Sequence, residues 1–257
     1  MSSSSNCYKS KEYRMQKISN KHLKWIKSLH QKKNRDLEQC FIVEGIKICD
    51  EVMREHPEKI KDIICTNEYF SNISSKLHKN TFTLSQAELS RISSLKTPNA
   101  ILLVLKKEKR LNFDRNQKVI LLDDVQDPGN LGTLMRTADW FGIKQFVCSP
   151  NTVDLYNSKT LQSTMGSFLR ISVWYRDLGQ FISENNLKVG GALLEGNEFE
   201  DKDLQVMDAL ILGNESRGIS EDLRPKINLP LRIGGSGNAE SLNVAIAGAI
   251  FMEHWVK

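Results

Sequence analysis

Residues 118–143 read KVILLDDVQDPGNLGTLMRTADWFGI. The run 119–122 is apolar without alternation, and 118–123 reads as a strand covered on both faces. Asp127-Pro128-Gly129 then makes a tight turn, and a helical pattern follows from about Asn130 to Phe141, with Asn130 as a candidate cap. Further strands fit 145–148, 170–174, 188–193, 209–212 and 226–229, with helical patterns between several of them. Strand and helix in alternation imply a parallel sheet with helices on both faces and ligands at the carboxyl ends of the strands. Functional residues therefore belong in the loops just after strands.

Upstream, residues 106–117 (KKEKRLNFDRNQ) are polar and charged and form the best linker in the chain. Before them, strands fit 41–43, 62–65, 82–84 and 100–105. A helix fits 45–54, and Ser85 to Glu88 has capping-box spacing for another. The reading is a smaller α/β domain over 15–105, a linker over 106–117 and a larger α/β domain over 118–257. Residues 1–14 hold almost no apolar side chains and are expected to be disordered. From Ile18, the positions Ile18, Trp25, Ile26 and Leu29 fit one face of a helix whose other faces are rich in lysine.

The chain has 257 residues, 40% hydrophobic and 26% charged, the composition of a globular protein. It has no apolar run of membrane-spanning length. Five scattered cysteines (Cys7, Cys40, Cys49, Cys65, Cys148) include no Cys-x-x-Cys pair. That pattern argues against a disulfide framework and structural zinc and for a reducing, cytoplasmic setting. Net charge is +5, yet residues 1–35 hold ten Lys or Arg against one acid, Glu12, which leaves the rest of the chain at −4. A basic arm on a nearly neutral body suits a polyanion such as RNA, with Lys32, Lys33 and Arg35 as candidate phosphate contacts, or serves as a solubilising tail.

Three loops after strands stand out. In the first, Asn130 and Arg136 lie six residues apart, so they need not share a helix face; alone, they read as a cap and a surface residue. In the second, residues 210–220 (LILGNESRGIS), glycines Gly213 and Gly218 bracket Glu215 at the end of a buried-type strand and let a ligand approach the backbone. In the third, a glycine-rich loop follows Leu229-Pro230-Leu231. A helix then starts near Ser241, where buried Ser241 and Asn243 would need partners that a ligand can supply. Phosphate-loop, dinucleotide and Ser-His-Asp signatures are missing, and the cluster Asp123, Asp124, Asp127 suits capping better than a metal.

In this order the three loops resemble the three motifs of the SpoU/TrmH family of RNA ribose 2′-O-methyltransferases, within the SPOUT superfamily. Residues 41–52 (FIVEGIKICDEV) look like part of the substrate-binding domain that many members carry. The resemblance implies a three-layer α/β domain with a deep trefoil knot, an exception to the rule of unknotted connections. It also implies S-adenosylmethionine as cofactor, RNA as partner and a homodimer. By motif position, Gly213, Gly218, Leu229 and Leu242 would line the cofactor pocket. Asn130, Arg136, Glu215, Ser241 and Asn243 would form the catalytic set, with no metal. Arginine is a poor base, so Arg136 is expected to bind phosphate or a developing alkoxide, while Glu215 holds Arg136 or Asn130 in place. The loop 231–240 looks longer than the family's, and Gln162 stands where many relatives have arginine. Ribosomal RNA is favoured over transfer RNA. The alternative of another class is an RNA-binding or ribosome-assembly protein that keeps the fold without the chemistry.

Overall fold

A computed structural model describes residues 16–108 and 112–257, so the expected disordered tail lies outside the described residues. The chain divides into two compact units, one of residues up to Leu29 with Cys40–Lys106, the other of His30–Gln39 with Lys107–Lys257. Its elements open with β1 (Gln16–Lys17), α1 (Asn20–Ser28), α2 (Lys32–Glu38), β2 (Cys40–Glu44), α3 (Ile46–Glu55) and β3 (Ile60–Thr66). There follow β4 (Thr81–Leu84), α4 (Gln86–Ser90) and β5 (Ile101–Lys106).

The first unit is a five-stranded sheet in the order β1-β4-β3-β5-β2. Strands β1, β4 and β3 run parallel, and β5 is antiparallel to both its neighbours. Ile26 of α1, Leu29 just after it and Leu89 of α4 close one core with Ile42, Ile64, Leu102 and Val104. Helix α3 lies against β2 and β5 and buries Ile48, Cys49 and Val52. The capping box at Ser85 forms as its spacing predicts, with Ser85 and Glu88 each accepting from the other's backbone N–H. The lysine-rich helical pattern is interrupted, however. It stops at Ser28, and α2 belongs to the second unit.

The second unit continues with β6 (Val119–Leu122), α5 (Pro128–Trp140), β7 (Gln145–Cys148), α6 (Ser158–Thr164), β8 (Ser172–Tyr175) and α7 (Leu178–Asn185). It ends with β9 (Val189–Glu198), α8 (Asp201–Gln205), β10 (Ala209–Leu212), β11 (Leu229–Arg232) and α9 (Val244–Trp255). The six strands are parallel throughout, in the order β11-β9-β10-β6-β7-β8. Leu178, Phe181 and Ile182 of α7 pack with Val119, Leu121, Val147 and Ile211 on one face. On the other, α5 lies against α6 and α9. There Gly248 of α9 comes so close that a Cβ would stand 2.4 Å from Leu134 and 2.9 Å from Leu212. Helix, sheet and helix therefore form three layers.

Several boundaries differ from the sequence reading. Helix α5 begins at Pro128 because Asp127, not Asn130, is its cap and accepts from the Asn130 N–H. Proline at the first helical position costs nothing, since its missing donor is an orphan there. Strand β9 runs ten residues, past 193, because after an irregularity at Pro230/Leu231 it pairs again with Leu231 and Arg232. Strand β11 starts at Leu229, three residues late, because residues 224–226 form a short 3-10 turn around Pro225.

Arg35 is a further correction. It is 5% exposed, donates to the His30 carbonyl and pairs with Asp154 at 2.7 Å. Its charge is compensated inside the second unit and is not presented to phosphate. Lys32 and Lys33 are exposed, and Lys32 Nζ lies 5.9 Å from the Tyr175 ring centroid.

Candidate active site

Strand β6 sits between β7, which follows it in sequence, and β10, which the chain reaches only after crossing the sheet. The strand order thus reverses between β6 and β10, and the loops leaving their carboxyl ends diverge to leave room for a ligand. Both unusual loops of this region, 123–127 and 213–218, open at that point.

The second loop is tied by its own backbone. Asn214 and Gly218 exchange N–H···O bonds of 3.0 and 2.9 Å, and the Asn214 side chain accepts from the N–H groups of Ser216 and Arg217. Gly218 holds φ at +69°, a region open to glycine at no steric cost. A Cβ on Gly213 would meet the Gly218 carbonyl carbon at 2.2 Å. Tied this way, the loop presents Glu215 to the first loop. There its carboxylate accepts from Asp127 N (3.2 Å), Gln126 N (3.3 Å) and Asn130 Nδ2 (2.9 Å). Arg217 pairs with Asp124, and Asn214 donates to the Asp124 carbonyl, so the two loops are stitched at several points.

The third loop joins through Asn243. Its Oδ1 accepts from Ala245 N and Ile246 N as the cap of α9, while its Nδ2 donates to Asn130 Oδ1 at 3.0 Å. One chain of amides and a carboxylate, Asn243 to Asn130 to Glu215, therefore links all three loops. Ionised Glu215 only accepts, so it turns the Asn130 NH₂ toward itself and leaves the Asn130 carbonyl for Asn243. Burial raises the Glu215 pKa, but hydrogen bonds from Asn130 and from the backbone N–H groups of Glu215, Asp127 and Gln126 outweigh it. The carboxyl is held below its ordinary value.

Three of the expected residues are thus brought together, and two are not. Arg136 is exposed and makes no hydrogen bond or ion pair with the described residues, so Glu215 holds Asn130 and not Arg136. Six residues along α5 carry its side chain off the face that Asn130 shares with Glu215. Ser241 and Asn243 are exposed, not buried, and α9 starts later than expected, at Val244. Gly213 and Gly218 shape the Glu215 loop, Leu229 lies in β11 opposite Gly190, and Leu242 adjoins Asn243. The sequence reading missed the pair Asp124–Arg217 and the backbone donors of Gln126 and Asp127. Opposite charges in two loops that each follow a buried-type strand were the available signal for the pair, and backbone donors leave none.

Residues 117–253 match the SpoU rRNA Methylase family, and residues 20–103 match the MRM3-like substrate binding domain. The chain belongs to the SpoU rRNA methylase family. It is 38% identical to 23S rRNA (guanosine(2553)-2′-O)-methyltransferase RlmP of Bacillus subtilis, over 91% of this chain and 96% of that one. Among solved structures, this SpoU-family chain superposes with a TM-score of 0.81 on a TrmH-family protein of Porphyromonas gingivalis (31% identical, covering 93% and 98% of the two chains). It superposes equally, at 0.81, on an S-adenosylmethionine-bound rRNA methyltransferase of Sinorhizobium meliloti (26% identical, covering 94% and 97%).

Proposed function

We propose that the protein transfers the methyl group of S-adenosylmethionine to a ribose 2′-hydroxyl of 23S ribosomal RNA. The observation that carries this reading is the hydrogen-bonded chain Asn243–Asn130–Glu215, which gathers three loops at the switch point of a SpoU-family sheet. Full-length likeness to a 23S rRNA 2′-O-methyltransferase favours ribosomal over transfer RNA.

The residues fit the cofactor. Backbone groups of residues 233–242 make no hydrogen bond with other described residues, so a ligand can use them. Leu242 and Ile246, 48% and 52% exposed, place apolar surface beside Asn243, as an adenosine requires. In this reading Gly213, Gly218, Leu229 and Leu242 hold the cofactor, which supplies an electrophilic methyl on a sulfonium. The chain's own residues then orient the hydroxyl and ease its deprotonation. Asn130, fixed by Glu215 and Asn243, positions a hydroxyl or the cofactor by hydrogen bonds. Glu215, with its lowered pKa, serves as an anchor and is a weak base. Arg136, unpaired and cationic, stabilises a developing alkoxide or binds phosphate, and Ser241 adds a hydroxyl at the loop's rim.

The same reading includes a knotted C-terminal segment, supported by α9 packing on α5 at the sheet's middle although it follows the edge strand β11. It includes a homodimer, supported by Trp140 at 85% exposure. Exposed Lys32 and Lys33 contact RNA, and the site of action is the cytoplasm, where no helix long and apolar enough to cross a membrane is needed or found among the described residues. The test is incubation with radiolabelled S-adenosylmethionine and ribosomal and transfer RNA from a strain lacking the gene. Label in a ribose-methylated nucleotide of 23S rRNA is expected. No label in any RNA, with no cofactor binding by calorimetry, overturns the reading.

A further inference from the structure

The N-terminal unit carries an aromatic cluster that the Asn130 site does not use. His22 of α1 contacts both Trp25 and Phe82, with ring centroids 5.1 and 5.4 Å apart, and all three rings are only partly buried. Lys61 Nζ lies 4.2 Å from the Trp25 ring centroid. His22 Nε2–H donates to Asp62 Oδ2 at 2.9 Å, with the two side chains 32% and 10% exposed. The other Asp62 oxygen has no partner among the described residues and is not sealed from solvent. Lys21, one helical turn before Trp25, also lacks an ion-pair partner there, as do Lys24, Lys27 and Lys61.

Core packing explains half of this. Trp25 covers the edge of the core around Ile26 and Leu29, a task leucine can do. It does not explain a nearly buried carboxylate left with an open acceptor, nor an ammonium over the free face of the indole. Unpaired lysines around flat aromatic surface match the requirements of single-stranded nucleic acid: cations for the backbone and π-faces for the bases. A carboxylate acceptor at the edge of that surface matches the amino group of a base, the usual partner of Asp in base reading. The Lys61 ammonium lies over the indole face on which a base would stack.

We propose that Trp25, His22 and Phe82 form a docking site for an unpaired base of the substrate RNA, with Asp62 accepting from the base's amino group and Lys21 and Lys61 on the adjoining phosphates. The inference rests on the RNA-substrate reading and adds a specific contact far from the methyl-transfer chemistry in sequence. Its test uses the full chain and protein-free 23S rRNA, with Trp25→Leu, Trp25→Phe, Asp62→Asn and Lys61→Gln variants checked by thermal melting. Stacking is worth about 1–3 kcal/mol per base, so Trp25→Leu is expected to weaken RNA binding about tenfold. Trp25→Phe should restore most of that loss, which a role in packing alone would not require. Asp62→Asn should raise KM for RNA several-fold with kcat and cofactor affinity unchanged. Wild-type tryptophan emission should be quenched by RNA, and that quenching should shrink in Trp25→Phe.

RNA affinities within twofold of wild type in Asp62→Asn and Lys61→Gln, or quenching unaltered in Trp25→Phe, overturn the inference even if Trp25→Leu fails to fold. Methylation that proceeds with an unchanged KM in these variants leaves the enzymatic reading standing without it. RNA binding that depends on Trp25 and Asp62 in a protein that methylates nothing supports the docking site and removes the enzymatic reading.

Discussion

Asn130 is held at both ends of its amide, by Glu215 on one side and Asn243 on the other, and the ionised state of Glu215 sets the direction of that chain. The folded-state pKa of Glu215 lies below its ordinary value, which is about 4.3 in an unfolded chain. The ionised carboxylate therefore stabilises the fold at pH values above the unfolded pKa. That contribution is lost as pH falls through the folded-state value, below which both states are protonated. Glu215→Gln should melt below wild type at pH 7, and the gap should close as the pH falls through the lowered folded-state value; a gap constant with pH counts against the assignment. Arg136 makes a different prediction. A guanidinium offers a planar fork of donors that an ammonium cannot copy. Arg136→Lys should lower turnover on the order of 100-fold while calorimetric cofactor affinity stays at the wild-type value, and equal turnover would remove any specific guanidinium role.

At the scale of elements, the loop 213–218 works because two backbone segments touch. Ala at position 213 would put a methyl group 2.2 Å from one backbone carbon and 2.3 Å from the Ile219 nitrogen, and backbone cannot yield as a flexible side chain can. Gly213→Ala should displace Glu215, abolish detectable cofactor binding and lower the melting temperature, whereas Gly179→Ala in α7, where a Cβ would make only ordinary contacts at 3.5 and 3.6 Å, should leave cofactor binding unchanged. Helix α2 offers the complementary case. It has seven residues and no side-chain cap at Gln31, too short to persist alone. Arg35, fixed by His30 and Asp154, anchors it. Removing one partner of a buried pair leaves the other charge uncompensated, at about 3–5 kcal/mol. Chemical denaturation of Arg35→Ala should show a loss of that size, and a loss below 1 kcal/mol would mean that Asp154 finds another partner.

These elements also mark what the sequence discloses. Strands β6, β7 and β10 were legible because both of their faces are covered, so they read as unbroken apolar runs. The second half of β9 was not, since LEGNE is polar and becomes a strand only through its renewed pairing with β11. The residue types at the site were legible from the loops after β6 and β10. Their grouping was not, because whether Asn130 or Arg136 meets Glu215 depends on a contact 85 residues away in the chain. Arg35 misled for the same reason: amid lysines it resembles a surface charge, and its partner lies 119 residues downstream.

For the whole molecule, the decisive exposed feature is Trp140, at the end of α5, with Arg136 and Thr133 at helical spacing on the same face and all three exposed. An indole left in water forgoes about 2–3 kcal/mol of burial. In a two-fold homodimer each contact occurs twice, so burying both copies supplies roughly 5 kcal/mol, more than a thousandfold in the dissociation constant. Trp140→Arg reverses that term and adds like charge across the axis beside Arg136. Sedimentation velocity should show a dimer for wild type at micromolar concentration and a monomer for Trp140→Arg, with an unchanged melting profile for the N-terminal unit. A wild-type monomer, or a variant that dimerises as tightly, would assign Trp140 to another surface and remove the homodimer from the proposed function. The fold would stay intact, because no core residue depends on that side chain.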